Sequence, residues 1–482
     1  MRTAHTVDTV RRAEAELMAR LPDGALMQRA AAGLAAACAE LLGRVYGARV
    51  VVLVGSGDNG GDALYAGARL ARRGAGVHAV LLAPDRAHPG GLAALTAAGG
   101  HPLGTADDPF DVLAAADLVL DGITGIGGTG GLRPDAVPVV RAARGSNAVV
   151  VAVDLPSGVE ADSGEVRGEA VHADLTVTFG TYEPALLVDP AHTHAGAVRL
   201  VDIGLDAVLP SVPALEALQH QDVALLLPEP DATSDKYRRG VVGVVAGSAR
   251  YPGAAVLAVA GALRGGAGAV RYVGHAADAV ITRFPETLVH AGPPERAGRV
   301  QAWIVGPGLG DDLDAVDAVL DSDVPVLVDA DGLRRVDPDR LRARSAPTLL
   351  TPHAGEAAAL LGSARADVEA RRLASVRELA GRYGATVLLK GSTTLVADPD
   401  PRSPVRVNAM GTPWLATAGS GDVLAGLAGS LLAAGLTARD AGSAAAYLHG
   451  LAARHAASKG VPVTSYEVAE GLGHAWRDVR DA

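Results

Sequence analysis

Short apolar runs alternate with Ala-rich segments along almost the whole chain. In the first half the runs are Arg49–Val54, Val77–Ala83, Asp117–Asp121, Ala148–Asp154, Leu175–Phe179 and Ala197–Ile203. In the second half they are Val241–Ala246, Ala269–Val273, Ala302–Val305, Val324–Asp329, Thr348–Thr351 and Thr386–Lys390. Several runs are too uniformly apolar for strands with one solvated face, which predicts buried parallel strands. Their alternation with helical segments predicts an α/β fold of two three-layer α/β/α domains.

A proline-rich stretch, Leu209–Pro230, separates the two halves of the pattern. Its prolines surround a predicted short helical segment. We therefore expect one domain at 1–215 and a second at 216–482, with the second closed by helices over Ala438–Ala482. The length of 482 residues also favours two or three domains over a single core.

The composition excludes several classes of protein. Hydrophobic residues make up 49% and charged residues 20%, which is typical of a globular chain rather than a disordered one. The net charge of −11 argues against nucleic-acid and anionic-membrane partners. Cys38 is the only cysteine, which excludes an intramolecular disulfide. The start of the chain lacks the continuous apolar core of a signal peptide, so we expect a cytoplasmic protein.

The first candidate site is a Gly-rich turn, GSGDNGGD at Gly55–Asp62, which directly follows the run Arg49–Val54. Gly55, Gly57 and Gly60 satisfy the GxGxxG pattern of dinucleotide-binding turns. The two carboxylates and the amide in this turn suit a cation or a ligand hydroxyl better than a bare pyrophosphate. A purely structural tight turn is the alternative, but the crowded polar sequence favours a site.

Two later strand ends carry acidic residues as well. Asp121 precedes the glycine-rich loop Gly122–Gly131, and Asp154 precedes Leu155–Gly158. Each aspartate alone is explained by capping of the next helix or turn. The carboxyl ends of parallel strands meet at one edge of a sheet, so the three acidic strand ends together predict a site.

The segments GSGDNGGD, DGITGIG and VAVDLPSG resemble, in order, those of the NAD(P)H-hydrate epimerase family over Thr6–Asp206. The resemblance implies a Rossmann-like domain that binds potassium through Asn59, Asp121 and Ser157. It also implies that Asp154 contacts the hydrated nicotinamide as an acid/base. The implied substrate-binding residues are Asp58, Asn59, Gly60, Gly61, Asp62, Gly125, Ile126, Gly127, Gly128, Thr129, Gly130, Gly131 and Asp154. This chain has Asp58, Ala63 and Ile126 where the family usually has Asn, Gly and Thr.

The implied epimerisation requires few catalytic groups. The hydrated cofactor carries a hydroxyl at C6 of its reduced ring, and the reaction inverts that centre. A ring-opened route and an iminium route both require proton transfers, which a positioned carboxylate can supply. The sequence does not distinguish the two routes.

The second candidate site is ATAGSGD at Ala416–Asp422, which precedes a long apolar helical segment. Its glycines would expose several backbone amides at the helix N-terminus, which forms an anion hole for a phosphoryl group. Asp422 lies in the first turn, where it can accept a proton from a hydroxyl that attacks the phosphoryl group. Helix capping is the alternative role, but the surrounding AGSGDVLAG sequence favours catalysis.

Further segments match in order through Lys236–Gly450, namely KYRRGVVGVVAGS, YPGAAVLA, ALRGGAGAVRY, FPE, GPGLG, VLVDADGL, LTPHAGE and LLKGSTTLV. Together with the GSGD loop they resemble the ADP-dependent NAD(P)HX dehydratase branch of the ribokinase-like superfamily. The resemblance implies nucleotide binding by Lys390, Gly391, Ser392, Thr393, Thr394 and Gly421. It implies contact with the hydrate by Ala255, Gly308, His353 and Asp422. A lone strand-end histidine is more often structural, but the TPHAGE context of His353 favours ligand contact.

The combined resemblance implies repair of NADHX and NADPHX. Asp422 would deprotonate the C6 hydroxyl, which takes the β-phosphoryl group of ADP with magnesium, and loss of phosphate would give NAD(P)H, AMP and phosphate. We also expect a homo-oligomer. The alternative function is a ribokinase-like small-molecule kinase with a degenerate N-terminal nucleotide-binding module, which would release a stable phosphorylated product.

Overall fold

The computed structural model describes residues 1–103, 107–458 and 460–482, and the chain forms two compact units. The N-terminal unit is Thr3–Ala214. The C-terminal unit is Leu215–Ala482 together with Met1–Arg2, the start of strand β1 (Arg2–Ala4). The division falls inside the proline-rich stretch found in the sequence. The short helix predicted between the prolines is present at His220–Leu226, and a three-residue strand, Leu215–Ala217, precedes it.

The N-terminal unit is built on a seven-stranded parallel sheet. Its strands are β2 (Arg49–Val54), β3 (Gly76–Leu81), β4 (His101–Leu103), β5 (Leu118–Gly122), β6 (Val149–Val153), β7 (Leu175–Phe179) and β8 (Ala197–Val201). They lie in the order β4-β3-β2-β5-β6-β7-β8. The order reverses between β2 and β5, which is the point where doubly wound sheets open a ligand crevice.

Helices cover both faces of this sheet. They are α1 (Val7–Met18), α2 (Ala25–Leu42), α3 (Asp58–Arg72), α4 (Pro89–Ala97), α5 (Phe110–Ala114), α6 (Val137–Gly145) and α7 (His192–Ala195). By length and composition, α2 is the one helix among the described residues that could cross a membrane. Leu34 and Cys38 of this helix are fully buried in the core of the unit.

The C-terminal unit has an eleven-stranded sheet that includes β1. Its other strands are β9 (Leu215–Ala217), β10 (Val241–Val245), β11 (Ala269–Val273), β12 (Leu288–His290), β13 (Ala302–Val305), β14 (Val326–Val328), β15 (Thr348–Leu350), β16 (Thr386–Leu389), β17 (Thr394–Ala397) and β18 (Val405–Asn408). The order is β1-β9-β18-β17-β16-β15-β14-β13-β10-β11-β12. Strand β17 runs antiparallel to β16 and β18, whereas β10 to β16 form a parallel set.

The helices of this unit are α8 (His220–Leu226), α9 (Pro252–Arg264), α10 (Ala277–Arg283), α11 (Asp314–Leu320), α12 (Pro338–Ala343), α13 (Ala354–Leu361), α14 (Arg365–Ala370), α15 (Arg372–Tyr383), α16 (Ser420–Ala433), α17 (Ala438–Ala456) and α18 (Ser465–Arg480). Helices α9 and α16 approach closely because both carry small residues where they touch. A Cβ atom on Gly426 would overlap the carbonyl oxygen of Ala258, and one on Gly261 would overlap that of Val423. This close contact fixes the position of α16, the helix that begins within the GSGD motif.

The predicted α/β class is confirmed. Each apolar run predicted as a strand overlaps a strand of the structure, and Ala438–Ala482 contains helices, as expected. The sequence did not reveal β1, β4, β9, β12, β17 or β18. Five of these, RTA, HPL, LEA, LVH and VRVN, contain polar residues or proline and so lack the apolar run that marked the equally short β14 and β15.

Candidate active sites

A cleft of about 610 Å³ opens in the N-terminal unit at the carboxyl ends of β2, β5 and β6. The predicted site residues that line it are Asp58, Asn59, Asp62, Gly125, Ile126, Gly127, Gly128, Thr129, Gly131 and Asp154. Gly60, Gly61 and Gly130 do not line it. The first two pack elsewhere, since a Cβ on Gly60 would lie 2.8 Å from the carbonyl oxygen of Gly55 and one on Gly61 would lie 2.9 Å from the His88 ring.

The Gly-rich turn brings two strand ends into contact. A Cβ atom on Gly55 would overlap the backbone carbonyl of Ile123, which follows β5. Gly57 has φ of +102°, a conformation that favours glycine. Helix α3 begins immediately afterwards, so Asp58–Asp62 form its first turn rather than a loop before it.

Asp154 adopts a left-handed backbone conformation with φ of +71° directly after β6. Its Oδ2 atom accepts a hydrogen bond of 3.1 Å from the backbone N–H of Ile126. A Cβ on Gly125 would lie 2.8 Å from Asp154 Oδ2 and 3.1 Å from Asn59 Oδ1, so these polar side chains meet at the glycine loop. Burial raises the pKa of Asp154 to about 6. The carboxyl group is therefore held where it can both give and take a proton near neutral pH.

Asp121 is fully buried next to this cleft but does not line it. Ser157 donates to the carboxylate twice, through its backbone N–H at 2.8 Å and its hydroxyl at 2.6 Å. Burial raises the pKa of Asp121 to about 6, against the opposing effect of these hydrogen bonds. The Oδ1 and Nδ2 atoms of Asn59 are also buried, and no partner for them occurs among the described residues. A buried carboxylate and an unsatisfied amide oxygen are the features expected of a site for a monovalent cation.

Three acidic residues of the cleft were missed from the sequence, namely Glu14, Asp135 and Glu183. Glu14 of α1 lines the cleft, and burial raises its pKa to about 7 with further contributions from Asp154 and Asp58. Glu183 is buried in the segment after β7, and burial raises its pKa well above the usual range, with Asp154 adding to the effect. The strand-end argument used for Asp154 could have found Glu183. Nothing in the sequence around Glu14 signals a site.

The second site is centred on a buried charge cluster in the C-terminal unit. The Lys390 ammonium, at the end of β16, lies 2.6 Å from Asp329 Oδ1 and 3.7 Å from Glu356 Oε2. Burial raises the pKa of Asp422 to about 7; Asp329 adds to this increase and Lys390 opposes it. For Lys390 burial favours the neutral amine, but Asp329 and Glu356 outweigh it and raise the pKa of the ammonium. Asp329 was missed from the sequence, although it ends the run VLVD.

The GSGD loop is held by hydrogen bonds from both sides. The Ser420 hydroxyl donates to the carbonyl of Leu415 at 2.8 Å, and the Ser465 hydroxyl donates to that of Ala418 at 2.7 Å. Helix α16 begins at Ser420, and Gly419 before it has φ of +87°. A Cβ on Gly421 would lie 3.4 Å from Lys390 Nζ. The loop amides and the charge cluster therefore face a common point, as an anion site requires.

The predicted nucleotide-binding turn Lys390–Thr394 is organised by a buried arginine. Arg372 donates to the carbonyls of Leu389 at 3.3 Å, Lys390 at 3.1 Å and Thr393 at 2.9 Å. A side chain at Gly391 would overlap the guanidinium group. Arg372 thus fixes the path of the backbone through the turn.

The remaining predicted residues have distinct surroundings. His353 is the N-cap of α13: its Nδ1 accepts the N–H of Glu356 at 3.0 Å, and the Glu356 carboxylate accepts the N–H of His353 at 2.7 Å. The imidazole is still 59% exposed, and its Nε2 lies 3.4 Å from Glu356 Oε1. Gly308 has φ of +64° and lies against Ala254. Ala255 is fully buried and has no exposed surface for a ligand.

The fold and the two sites define an α/β enzyme with one polar site in each unit, a carboxylate-lined cleft in the first and a phosphate-type anion loop in the second. Two family models match this division. The model of the YjeF-related protein N-terminus matches residues 23–185, and the model of NAD(P)H-hydrate dehydratase matches residues 242–472.

Similar proteins carry both units in one chain. The bifunctional NAD(P)H-hydrate repair enzyme Nnr of Mycobacterium tuberculosis is 51% identical over 92% of this chain and 91% of its own length. The corresponding enzyme of Mycobacterium leprae is 50% identical over 94% of each chain. The crystal structure of an ADP/ATP-dependent NAD(P)H-hydrate dehydratase from Bacillus subtilis, co-crystallised with ATP and Mg2+, covers 55% of this chain and 99% of its own. Its TM-score is 0.51 and its identity 30%. This chain belongs to the family of bifunctional NAD(P)H-hydrate repair enzymes.

Proposed function

We propose that the N-terminal cleft interconverts the R and S forms of NADHX and NADPHX, and that the C-terminal site dehydrates the S form with ADP. The observation that carries the dehydratase assignment is the position of Asp422. This carboxyl group lies at the start of helix α16, beside the Lys390–Asp329 pair, and its pKa is about 7. A general base is most effective when its pKa lies near the working pH.

In the dehydratase reaction, the Asp422 carboxylate takes the proton of the C6 hydroxyl while that oxygen attacks the β-phosphoryl group of ADP. The backbone amides of Gly419–Gly421 receive the developing negative charge on the phosphoryl oxygens. The phosphorylated C6 oxygen is a better leaving group than hydroxide. It departs as phosphate while the ring nitrogen donates electrons and C5 loses a proton. The products are NAD(P)H, AMP and phosphate.

We assign the nucleotide to Lys390, Gly391, Ser392, Thr393, Thr394 and Gly421. Arg372 supports this assignment because it fixes the backbone of the turn. Asp331 and Glu356 supply hard carboxylate oxygens close to Asp422 and suit magnesium, which usually binds one or two carboxylates together with substrate phosphates. When bound, magnesium neutralises charge on the phosphoryl oxygens. The assigned contacts to the hydrate are Gly308, His353 and Asp422, with Ala255 packing behind them.

In the epimerase site we assign potassium to Asn59, Asp121 and Ser157. The unsatisfied Asn59 amide and the buried Asp121 carboxylate support this donor set. Potassium would supply positive charge that keeps Asp121 ionised. Asp154 acts as an acid/base at C6, and the loop Gly125–Gly131 encloses the substrate. We also propose a cytoplasmic homo-oligomer, without nucleic-acid or membrane partners.

Recovery of NADH absorbance from a mixture of R and S hydrate tests the proposal. The intact chain and Asp422→Asn are assayed with magnesium and either ADP or ATP. Complete ADP-dependent recovery by the intact chain that is lost in Asp422→Asn supports both activities. Recovery that stops when the S form is used up refutes the epimerase assignment. No recovery with either nucleotide, or release of a stable phosphorylated product, favours the small-molecule kinase.

A further inference from the structure

The N-terminal cleft has an acidic interior and a rim that carries two arginines. Its acidic wall, as we call it, is formed by Glu14, Asp58, Asp62, Asp154 and Glu183. The two arginines that line the cleft, Arg11 and Arg133, are both exposed, whereas Glu183 is buried and Glu14, Asp62 and Asp154 are half-buried. Asp58 and Asp135 are exposed like the arginines, so the rim carries both signs of charge, whereas the buried and half-buried charged groups of the cleft are all acidic.

The rim suits the charged end of the substrate. The Arg11 guanidinium lies against the glycine loop, since a Cβ on Gly127 would be 3.2 Å from its Nη2 atom. An exposed guanidinium beside exposed loop amides is suited to a diphosphate. The nicotinamide end of a substrate held in this way would point towards the acidic wall.

The acidic wall carries more negative charge than the binding of a neutral nicotinamide ring requires. Asp62 Oδ1 is buried in the cleft, and no hydrogen-bond partner for it occurs among the described residues. Burial raises the pKa of Asp62 well above its usual range, and Asp154, Asp58 and Glu14 add to this effect. Mutual repulsion of buried carboxylates is relieved by protonation of some of them or by a cation among them.

The assigned potassium does not account for this wall. One ion held by Asn59, Asp121 and Ser157 carries a single positive charge, against the five carboxyl groups of the acidic wall; of these three residues, Asn59 lines the cleft. The wall thus contains both protonated carboxyl groups that can donate to a leaving hydroxyl and ionised ones that can stabilise positive charge next to it.

We propose that epimerisation proceeds through a cationic iminium at C6, with Glu14 as the general acid that protonates the departing hydroxyl and the acidic wall as the stabiliser of the cation. This inference rests on the proposed epimerase function. It selects between two routes, because the ring-opened aldehyde is neutral and gains nothing from the surrounding negative charge.

The Glu14 carboxyl gives its proton to the C6 hydroxyl, the C6–O bond breaks with both electrons leaving on water, and the N1 lone pair forms the N1=C6 bond. A water molecule then adds to the opposite face of C6 and gives a proton to Asp154. Proton exchange with solvent restores both carboxyl groups. No oxidation or reduction occurs.

Oxygen exchange separates the two routes. Purified R hydrate is incubated with the full chain in H2(18)O without nucleotide, so that the dehydratase is silent, and the S product is analysed by mass spectrometry against an enzyme-free control. The iminium route places one solvent oxygen at C6 for each inversion. Inversion that retains the original oxygen overturns the proposal, whereas the absence of any inversion overturns the epimerase function itself.

The role of Glu14 is tested with variants of helix α1. Glu14→Gln, which keeps the size of the side chain, should lower the epimerase kcat by about 100-fold or more, and Glu14→Asp should recover part of it. Glu16→Gln on the same helix is the matched control, because Glu16 is exposed and pairs with Arg20. An unchanged circular dichroism spectrum and an unchanged thermal unfolding curve show that the N-terminal unit of each variant is folded.

The pH dependence gives a second readout. The groups facing Glu14 are Asp154, Asp58, Asp62 and Glu183, with Arg11 on its own helix. An acid with a pKa of about 7 is active when protonated, so the epimerase kcat/KM should fall as pH rises above about 7. Full epimerase activity of Glu14→Gln refutes the assignment of Glu14 as the general acid. The assignment is also refuted if the decrease in kcat/KM at high pH is lost only in Glu16→Gln.

Discussion

The ammonium group of Lys390 lies 2.6 Å from Asp329 Oδ1, and both residues act on the carboxyl group of Asp422 in opposite directions. Asp329 raises the pKa of Asp422, and Lys390 lowers it. Asp329 adds to the effect of burial, whereas Lys390 opposes both, and the pKa of the proposed base is about 7.

Substitutions in this pair should shift the pH profile of the dehydratase in opposite directions. Asp422 acts as a base when deprotonated, so kcat/KM should rise with pH and level off above about 7. Asp329→Asn should move this rise to lower pH, and Lys390→Met should move it to higher pH. The measurement is the pH dependence of NADPH recovery from pure S hydrate. Shifts in the same direction would show that neither residue acts through the charge of Asp422.

Asp422 should also destabilise the fold at high pH. Its pKa in the folded protein, about 7, is above the value of about 4 expected in the unfolded chain. The folded state therefore binds the proton more tightly, and the free energy of unfolding decreases as pH rises from about 4 to about 7. Asp422→Asn should raise the melting temperature, and the gain should be larger at pH 8 than at pH 5.

The control for that comparison is Asp339→Asn, whose side chain is 95% exposed. It should change stability by less than about 0.5 kcal/mol at either pH. An equal effect of Asp422→Asn at both pH values would contradict the assignment of a raised pKa to this group.

Asp154→Asn should separate the two activities. Asparagine tolerates the left-handed backbone conformation with φ of +71° that Asp154 adopts, so the fold should be retained. The amide cannot exchange protons at C6, and conversion of R to S hydrate should be lost. Dehydration of pure S hydrate should be unchanged, which serves as the internal control. Loss of both activities would contradict this prediction.

Gly55→Ala should destabilise the N-terminal unit. The added methyl group would overlap the backbone carbonyl of Ile123, which cannot move without displacing the end of β5. We expect a loss of about 2–3 kcal/mol in the free energy of unfolding, measured with urea. Gly145→Ala is the matched control, because a Cβ at this helical position has no neighbour within 4 Å. Its effect should be within about 1 kcal/mol.

The sequence predicted the fold class and the strand-end aspartates because both depend on local pattern. A uniformly apolar strand such as Arg49–Val54 and an acidic residue directly after it are visible without tertiary information. Glu14 and Arg372 are different, because each lies on a helix whose sequence carries no motif. Their roles depend on which element the helix packs against, and that is a property of the folded chain.

The roles of the motif glycines also could not be predicted from the sequence. Gly60 and Gly61 belong to GSGDNGGD, and the sequence assigned them to the substrate together with their neighbours. The structure shows that a side chain at either position would meet the Gly55 carbonyl or the His88 ring, so these glycines are needed for packing. A motif shows which residues occur together. It does not distinguish residues that contact a ligand from glycines that allow close packing of the backbone.

Strand β1 has a consequence for any attempt to divide the protein. The C-terminal unit takes the edge strand of its sheet from the start of the chain, and the Met1 amino group pairs with Asp222 at 2.8 Å. A fragment beginning at Leu215 would lack this strand and leave one edge of β9 unpaired, although β9 keeps its pairing with β18. An unpaired strand edge promotes aggregation. A stand-alone dehydratase made from this chain would therefore need the first residues joined back, for example by circular permutation.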